Sequence, residues 1–205
     1  MNIRVGAEVS VGGIAIQGFR SLDEAVEFVI SADGQVTPGF AIAINPEKVI
    51  RYQGDSALRK AVSDATLRYP DGIGVTLAMR AKGVHTTRVA GVDLWERLMR
   101  CAAQTGTPVY LLGGAPGVVG QVSRRAIAEM PGLVIAGTQH GYFENEDAVL
   151  DDICQSDAKI LFVAMGSPKQ EVFIHKVRQR RPDCFCMGVG GGRLMYSSAG
   201  FNARL

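Results

Sequence analysis

Short runs of unbroken apolar residues alternate with helix-patterned segments through the second half of the chain. Pro108–Leu112, Leu133–Gly137, Lys159–Met165 and Cys184–Val189 read as strands, and Gly117–Met130, Glu146–Cys154 and Pro168–Arg180 as the helices between them. Strands apolar on both faces, joined through helices, imply a parallel sheet covered on both sides. The expected fold is therefore α/β and Rossmann-like, a mostly parallel sheet with helices on both faces, in a single domain. Ligands in such sheets sit beyond the carboxyl ends of the strands.

The first half is less regular. Arg4–Glu8 and Gly13–Gln17 read as short strands around a turn at Gly12-Gly13. Ser21 is suited to cap a helix through Ala25, Val26 and Phe28, with Asp23 and Glu24 favourable in its first turn. The run Phe40–Ile44 ends at Asn45-Pro46-Glu47, where Asn as N-cap and Pro as first helical residue predict a helix start.

Composition narrows the function classes. A chain of 205 residues that is 47% hydrophobic is not disordered, and 22 basic against 20 acidic residues give a net charge of +2, too balanced to argue for nucleic-acid binding. Mean hydropathy is +0.11, yet no apolar run reaches the roughly 18–20 residues of a membrane span. The N-terminus lacks a signal-peptide core, so a cytoplasmic location is expected. Cys101, Cys154, Cys184 and Cys186 show no disulfide-scaffold spacing, and Cys184 and Cys186 read as packing residues of a buried strand.

The chemistry-bearing residues fall at predicted strand ends. In Gly166-Ser167-Pro168-Lys169-Gln170, Ser167 as N-cap and Pro168 as first helical residue leave outward N–H groups beside Lys169 and Gln170. That is either a diphosphate site or an ordinary capped helix. Gly113 and Gly114 end another strand, where glycine permits either close approach to a phosphate or a tight turn. Neither this turn nor Gly188-Val189-Gly190-Gly191-Gly192 is a dinucleotide fingerprint. Asp71, in Pro70-Asp71-Gly72-Ile73-Gly74, is either an Asx-turn or cap residue or a general base. Arg88 precedes a helix over Gly91–Gln104 and can clamp a phosphate or carboxylate. His85, His140 and His175 are not at metal-ligand spacing and there is no Asp-x-Asp pair, so neither metal nor other cofactor is expected.

In order along the chain, Asn45-Pro46-Glu47-Lys48, Pro70-Asp71-Gly72-Ile73-Gly74, Arg88–Leu94, Val109–Gly114, Gly141-Tyr142-Phe143, Met165–Glu171 and Met187–Gly191 resemble the WecG/TagA/CpsF family of bacterial glycosyltransferases. The resemblance implies transfer of an N-acetylmannosamine-type sugar, or glucose in some members, from UDP to a sugar on undecaprenyl diphosphate. The segments Ala43–Lys48 and Val163–Gln170 look most like the branch that uses UDP-N-acetylmannosaminuronic acid and builds enterobacterial common antigen. It further implies an inverting reaction with Asp71 as base and Asn45 holding donor or acceptor. Gln170 and the helix start at Pro168, with Lys169 in the substrate-binding set, would hold UDP, and Arg88 the diphosphate or uronate. Gly113, Gly114, Tyr142, Phe143 and Gly191 complete the implied substrate-binding set. Many relatives carry a Thr two residues before the Asn; here it is Ala43. Family members work at the cytoplasmic face of the inner membrane, and a homo-oligomer is compatible with all of this.

The matching blocks end at Gly191, and the family pattern is expected to stop there. From Gly192 to Leu205 the chain departs from it, although the family's usual continuation can be spelled in a shifted reading frame across the same codons. The expectation is thus a catalytic core over 1–191 and a frameshifted tail over 192–205 that replaces a basic, membrane-facing segment and impairs transfer. The alternatives are a transferase acting on UDP-N-acetylmannosamine or UDP-glucose, a non-catalytic nucleotide-sugar-binding module, and a nicotinamide-dependent oxidoreductase, which would need the absent glycine fingerprint.

Overall fold

A computed structural model describes residues 7–190 of the chain. Its main sheet has strand order β4 (Leu67–Pro70), β3 (Gly39–Ile44), β8 (Phe185–Gly188), β7 (Ile160–Ala164), β5 (Val109–Gly113) and β6 (Ile135–Gln139). Every neighbouring pair is parallel, so the single-domain, Rossmann-like α/β fold is the observed one.

Alternation of side chains along these strands feeds two cores. Toward one face, Ile160 and Phe162 of β7 join Leu111, Phe185 and Met187 under α1 (Leu22–Val29), α5 (Gly91–Thr105) and α6 (Val118–Glu129). Trp95 of α5 meets Phe162 edge-on, with ring centroids 6.4 Å apart. Toward the other face, Leu161 and Val163 join Ile42, Leu112 and Cys186. They lie under α3 (Ser56–Asp64), α4 (Ile73–Ala81), α7 (Glu146–Gln155) and α8 (Lys169–Arg180). All five residues of β7 are buried, each large one contributing about 1.5–3 kcal/mol as an upper estimate.

An antiparallel hairpin of β1 (Glu8–Val11) and β2 (Ile14–Gln17) lies beside the edge strand β4. Its turn is Gly12-Gly13, with φ of +60° and +87°. A two-residue turn requires pairing to start at the flanking residues, Val11 with Ile14. Among the described residues the first strand is Glu8–Val11; residues 4–6 of the expected strand Arg4–Glu8 lie outside them. Arg68 on β4 is held by this hairpin, its Nε donating to the Ala15 carbonyl at 2.7 Å and its N–H to Gln17 Oε1 at 2.7 Å.

Ser21 caps α1 through Glu24 N–H, and Asn45 caps α2 (Pro46–Arg51), as their sequences predict. Strand β6 begins two residues later than expected. Leu133 is buried from the turn after α6, where its N–H donates to the Met130 carbonyl. Its apolar character thus marks the core rather than the strand.

Gly113, at the end of β5, has φ of +131°, and a Cβ there would lie 2.3 Å from the Ala164 carbonyl oxygen of β7. Close approach of two backbones, not only a turn, demands glycine here. We expect Gly113→Ala to cost roughly 3 kcal/mol from steric and backbone strain. That would lower Tm by about 6–12 °C in thermal denaturation.

Candidate active site

Strands β3 and β4 deliver the first pair of functional side chains. Ile44 is in register with Pro70, and Asp71 N–H donates to the Ile44 carbonyl at 2.9 Å. Asn45 and Asp71 consequently leave neighbouring strands side by side. Asn45 Oδ1 accepts from Lys48 N–H at 2.8 Å, so the cap uses the oxygen end of its carboxamide. Asp71 does not occupy the N-cap of α4. That position falls to Gly72, with φ of +122° and no side chain, and the cap interpretation of Asp71 is corrected accordingly.

The Asp71 side chain is 13% exposed and lies 3.6 Å from Nε of Arg88, which is 51% exposed. Arg88 is brought there by the extended stretch before α5. Thr87 N–H donates to the Phe19 carbonyl and Val89 N–H to the Pro70 carbonyl, at 2.7 and 2.9 Å. The carboxylate stands at the mouth of the sheet where it can take a proton from a bound hydroxyl, and the half-exposed guanidinium beside it can hold negative charge.

Strands β7, β5 and β6 supply the second group. Gly166 has φ of +77°, and its carbonyl accepts from Gln170 N–H at 2.9 Å. The N-cap of α8 is Pro168, which has no side-chain cap bond. Ser167 therefore does not cap the helix as expected, because a backbone turn from Gly166 already takes up one of the donors it would have satisfied. Lys169 is exposed, its Nζ 6.0 Å from the centroid of the Phe143 ring, and Phe143 in turn packs on Phe173. Tyr142 is 73% exposed, its N–H donating to His140 Nδ1 at 3.2 Å. Gly114 N–H donates to the Ala164 carbonyl, and the Gly114 carbonyl accepts from Gly141 N–H. These bonds join the ends of β5, β6 and β7. Helix α6 follows β5 onto one face and α8 follows β7 onto the other, so these carboxyl ends flank the point of the sheet at which parallel α/β folds bind ligands.

Gln170 is buried at 5% exposure. Its Oε1 accepts from Gly190 N–H at 3.1 Å, and Gly188 leaves room for its carboxamide. Gln170 thus braces the end of β8, which lies between β3 and β7. Gly191 and the tail from residue 192 lie outside the described residues.

A buried ion pair spans the same strand ends. Lys48 Nζ of α2 lies 3.2 Å from Glu171 Oε1 of α8, with side chains 12% and 3% exposed. Glu171 Oε2 is buried without a hydrogen-bond partner among the described residues. The pair ties the start of α2, carrying Asn45, to the start of α8, carrying Lys169. Both residues lie within the motif blocks, which assign neither of them a role, but a signal exists. Gln170, Phe173, Ile174 and Val177 form the buried stripe of α8, so polar residues at its start sit where apolar ones are expected.

Among the described residues no group of three or more His, Cys, Asp or Glu is placed to hold a metal. Cys184 and Cys186 are buried in the core, and the neighbouring Cys184 thiol together with burial holds Cys186 well above the ordinary thiol range. No helix among the described residues is long and apolar enough to cross a membrane.

Removing one member of a buried pair leaves the other charge uncompensated. Lys48→Met should therefore cost about 3–5 kcal/mol in denaturant unfolding. The double variant Lys48→Met/Glu171→Gln should recover more than half of that loss.

The arrangement places a carboxylate with an adjacent arginine at one end of the row of strand tips and a lysine at a helix start three strands along it. The model of the glycosyl transferase WecG/TagA/CpsF family matches residues 9–199, a span containing all of these elements. The chain belongs to the WecG/TagA/CpsF family of glycosyltransferases.

Proposed function

We propose that this glycosyltransferase moves N-acetylmannosaminuronic acid from UDP to GlcNAc carried on undecaprenyl diphosphate, with inversion at the sugar carbon. The observation that carries the reading is the juxtaposition of Asn45 and Asp71 on paired strands, with Arg88 at 3.6 Å from the carboxylate. From β4 to β7 the sheet runs three strand spacings, about 14 Å. That is a span a sugar joined to a diphosphate can bridge, with its reacting carbon at Asp71 and its diphosphate toward Lys169.

In this mechanism the Asp71 carboxylate takes the proton of the acceptor hydroxyl as its oxygen attacks the anomeric carbon. The bond from that carbon to the diphosphate oxygen breaks on the opposite face, and UDP leaves with the electron pair. Asn45 holds a hydroxyl of donor or acceptor through its carboxamide. Arg88 offsets the charge of the uronate or of the acceptor diphosphate, and Lys169 that of the departing UDP. Tyr142 offers an exposed ring to the donor beside Phe143. Gly113 and Gly114 let the nucleotide approach the β5 end closely, and Gln170 supports the site from beneath. The reaction so drawn requires neither metal nor other cofactor, and it places the protein at the cytoplasmic face of the inner membrane.

Two measurements test this. In a thermal-shift titration, UDP and UDP-N-acetylmannosaminuronic acid should each raise Tm while NAD leaves it unchanged; stabilisation by NAD alone would refute the reading. In a transfer assay with lipid-diphosphate-GlcNAc, Asp71→Asn should lower kcat by about 10²–10⁴-fold, the typical worth of a positioned general base, with UDP binding retained. Undiminished turnover of that variant would remove Asp71 from the base role.

A further inference from the structure

Helix α4 is apolar on the side that faces away from the protein as well as on the side that faces it. Inward, Val75 and Met79 are buried beneath the second core. Outward, Ile73 is 66% and Leu77 56% exposed, and Ala81 continues the row one turn later. These positions recur at i, i+4 and i+8, a continuous line along one helix face. Arg80 is the sole charged residue of the helix. A surface helix ordinarily carries charge on its outer face, so an apolar one marks a contact with something apolar. Helix α2 stands alongside, since a Cβ on Gly74 would lie 3.1 Å from the Pro46 ring, and it contributes Ile50, 79% exposed.

Charge indicates which apolar partner. Between Asp71 and Asp93 the sequence contains Arg80, Lys82 and Arg88 and no acidic residue; Arg88 pairs with Asp71, which leaves the charges of Arg80 and Lys82 beside the apolar row. Lys82 has no ion-pair partner among the described residues, whereas the basic residues of α8 at 176 and 180 pair with acids of α7. Apolar side chains flanked by Arg80 and Lys82, neither in an ion pair among the described residues, suit a surface of anionic lipid: the former enter the acyl boundary and the latter meet the headgroups.

We propose that the outer face of α4, with Ile50 and the basic stretch that follows the helix, is the surface by which this protein lies on an anionic bilayer. The helix begins two residues after Asp71, so this docking sets the proposed base at the level of the headgroups, where a diphosphate anchored in lipid presents its sugar. The inference deepens the transferase reading.

Flotation of the 205-residue chain with vesicles tests it. Vesicles of one part phosphatidylglycerol to three parts phosphatidylcholine should carry the protein, and pure phosphatidylcholine should carry at least fivefold less. Ile73→Asp/Leu77→Asp should reduce the bound fraction at least fivefold. Lys82→Glu, on an exposed loop, should reduce it at least twofold. Ile127→Asp, at an exposed position of α6 on the other side of the sheet, should leave it unchanged. Unaltered Tm for each variant confirms the fold, and Lys82→Glu keeps the test decisive should the double variant unfold. Equal binding to neutral and anionic vesicles, or equal binding of the α4 variants and the parent, overturns the proposal. So does a concentration-dependent dimer that the double variant abolishes without vesicle binding, which would assign the face to a second copy of the chain. The vesicles contain no sugar donor and the UDP titration contains no lipid, so the two readings fail separately.

Discussion

Parallel strands cannot be joined by a tight hairpin, so each must be followed by a crossover before the next can pair. All six strands of the main sheet obey this constraint, and the consequence is spatial sorting. Every carboxyl end lies at one edge of the sheet, and every loop that leaves it starts there. Asn45, Asp71, Gly113, His140, Gly166 and Gly190 are distant in sequence yet stand in one row. The same crossovers clothe both faces with helices, which is why the strands are apolar throughout.

Within that row, stability and placement are carried by the same groups. Gly113 admits the Ala164 backbone, Gln170 takes the Gly190 N–H, and the Lys48–Glu171 pair joins two helix starts. A buried ion pair is a weak source of net stability, since desolvation offsets most of its attraction. Its effect here is geometric: it sets where α2 begins relative to α8. The Asp71–Arg88 pair differs because its arginine is half exposed, leaving the guanidinium accessible to an incoming anion.

Local chemistry made several elements legible. Ser21 and Asn45-Pro46 announce their helices because a cap is a bond between neighbours in sequence. Buried strands β5, β7 and β8 announce themselves by unbroken apolar runs. The pattern fails where an element's character comes from a distant neighbour. The expected elements omit helix α3 and strand β4, although Asp55 caps α3 through Leu58 N–H. Strand β4 is four residues long and carries Arg68, which pairs with Glu8 of the hairpin and donates to carbonyls of the hairpin and of the turn after α3. Ser167 looks like a cap, but the backbone turn at Gly166 reaches the helix first. Of the site, the motif blocks pointed to Asn45, Asp71 and Lys169, while the connection from Lys48 to Glu171 spans 123 residues and leaves no mark in spacing.

The sequence by itself determined the alternation of strand and helix, the caps, the glycines at the turns and the family to which the chain belongs, because these reside in residue types and short separations. Tertiary structure alone decided that Asn45 and Asp71 stand abreast, that Gln170 faces inward, that Arg88 reaches Asp71, and that α4 turns an apolar row outward. Each of those depends on which strands are neighbours. Strand order follows from how crossovers pack across two faces of a sheet, an outcome of burial over the entire domain rather than of any local run of residues.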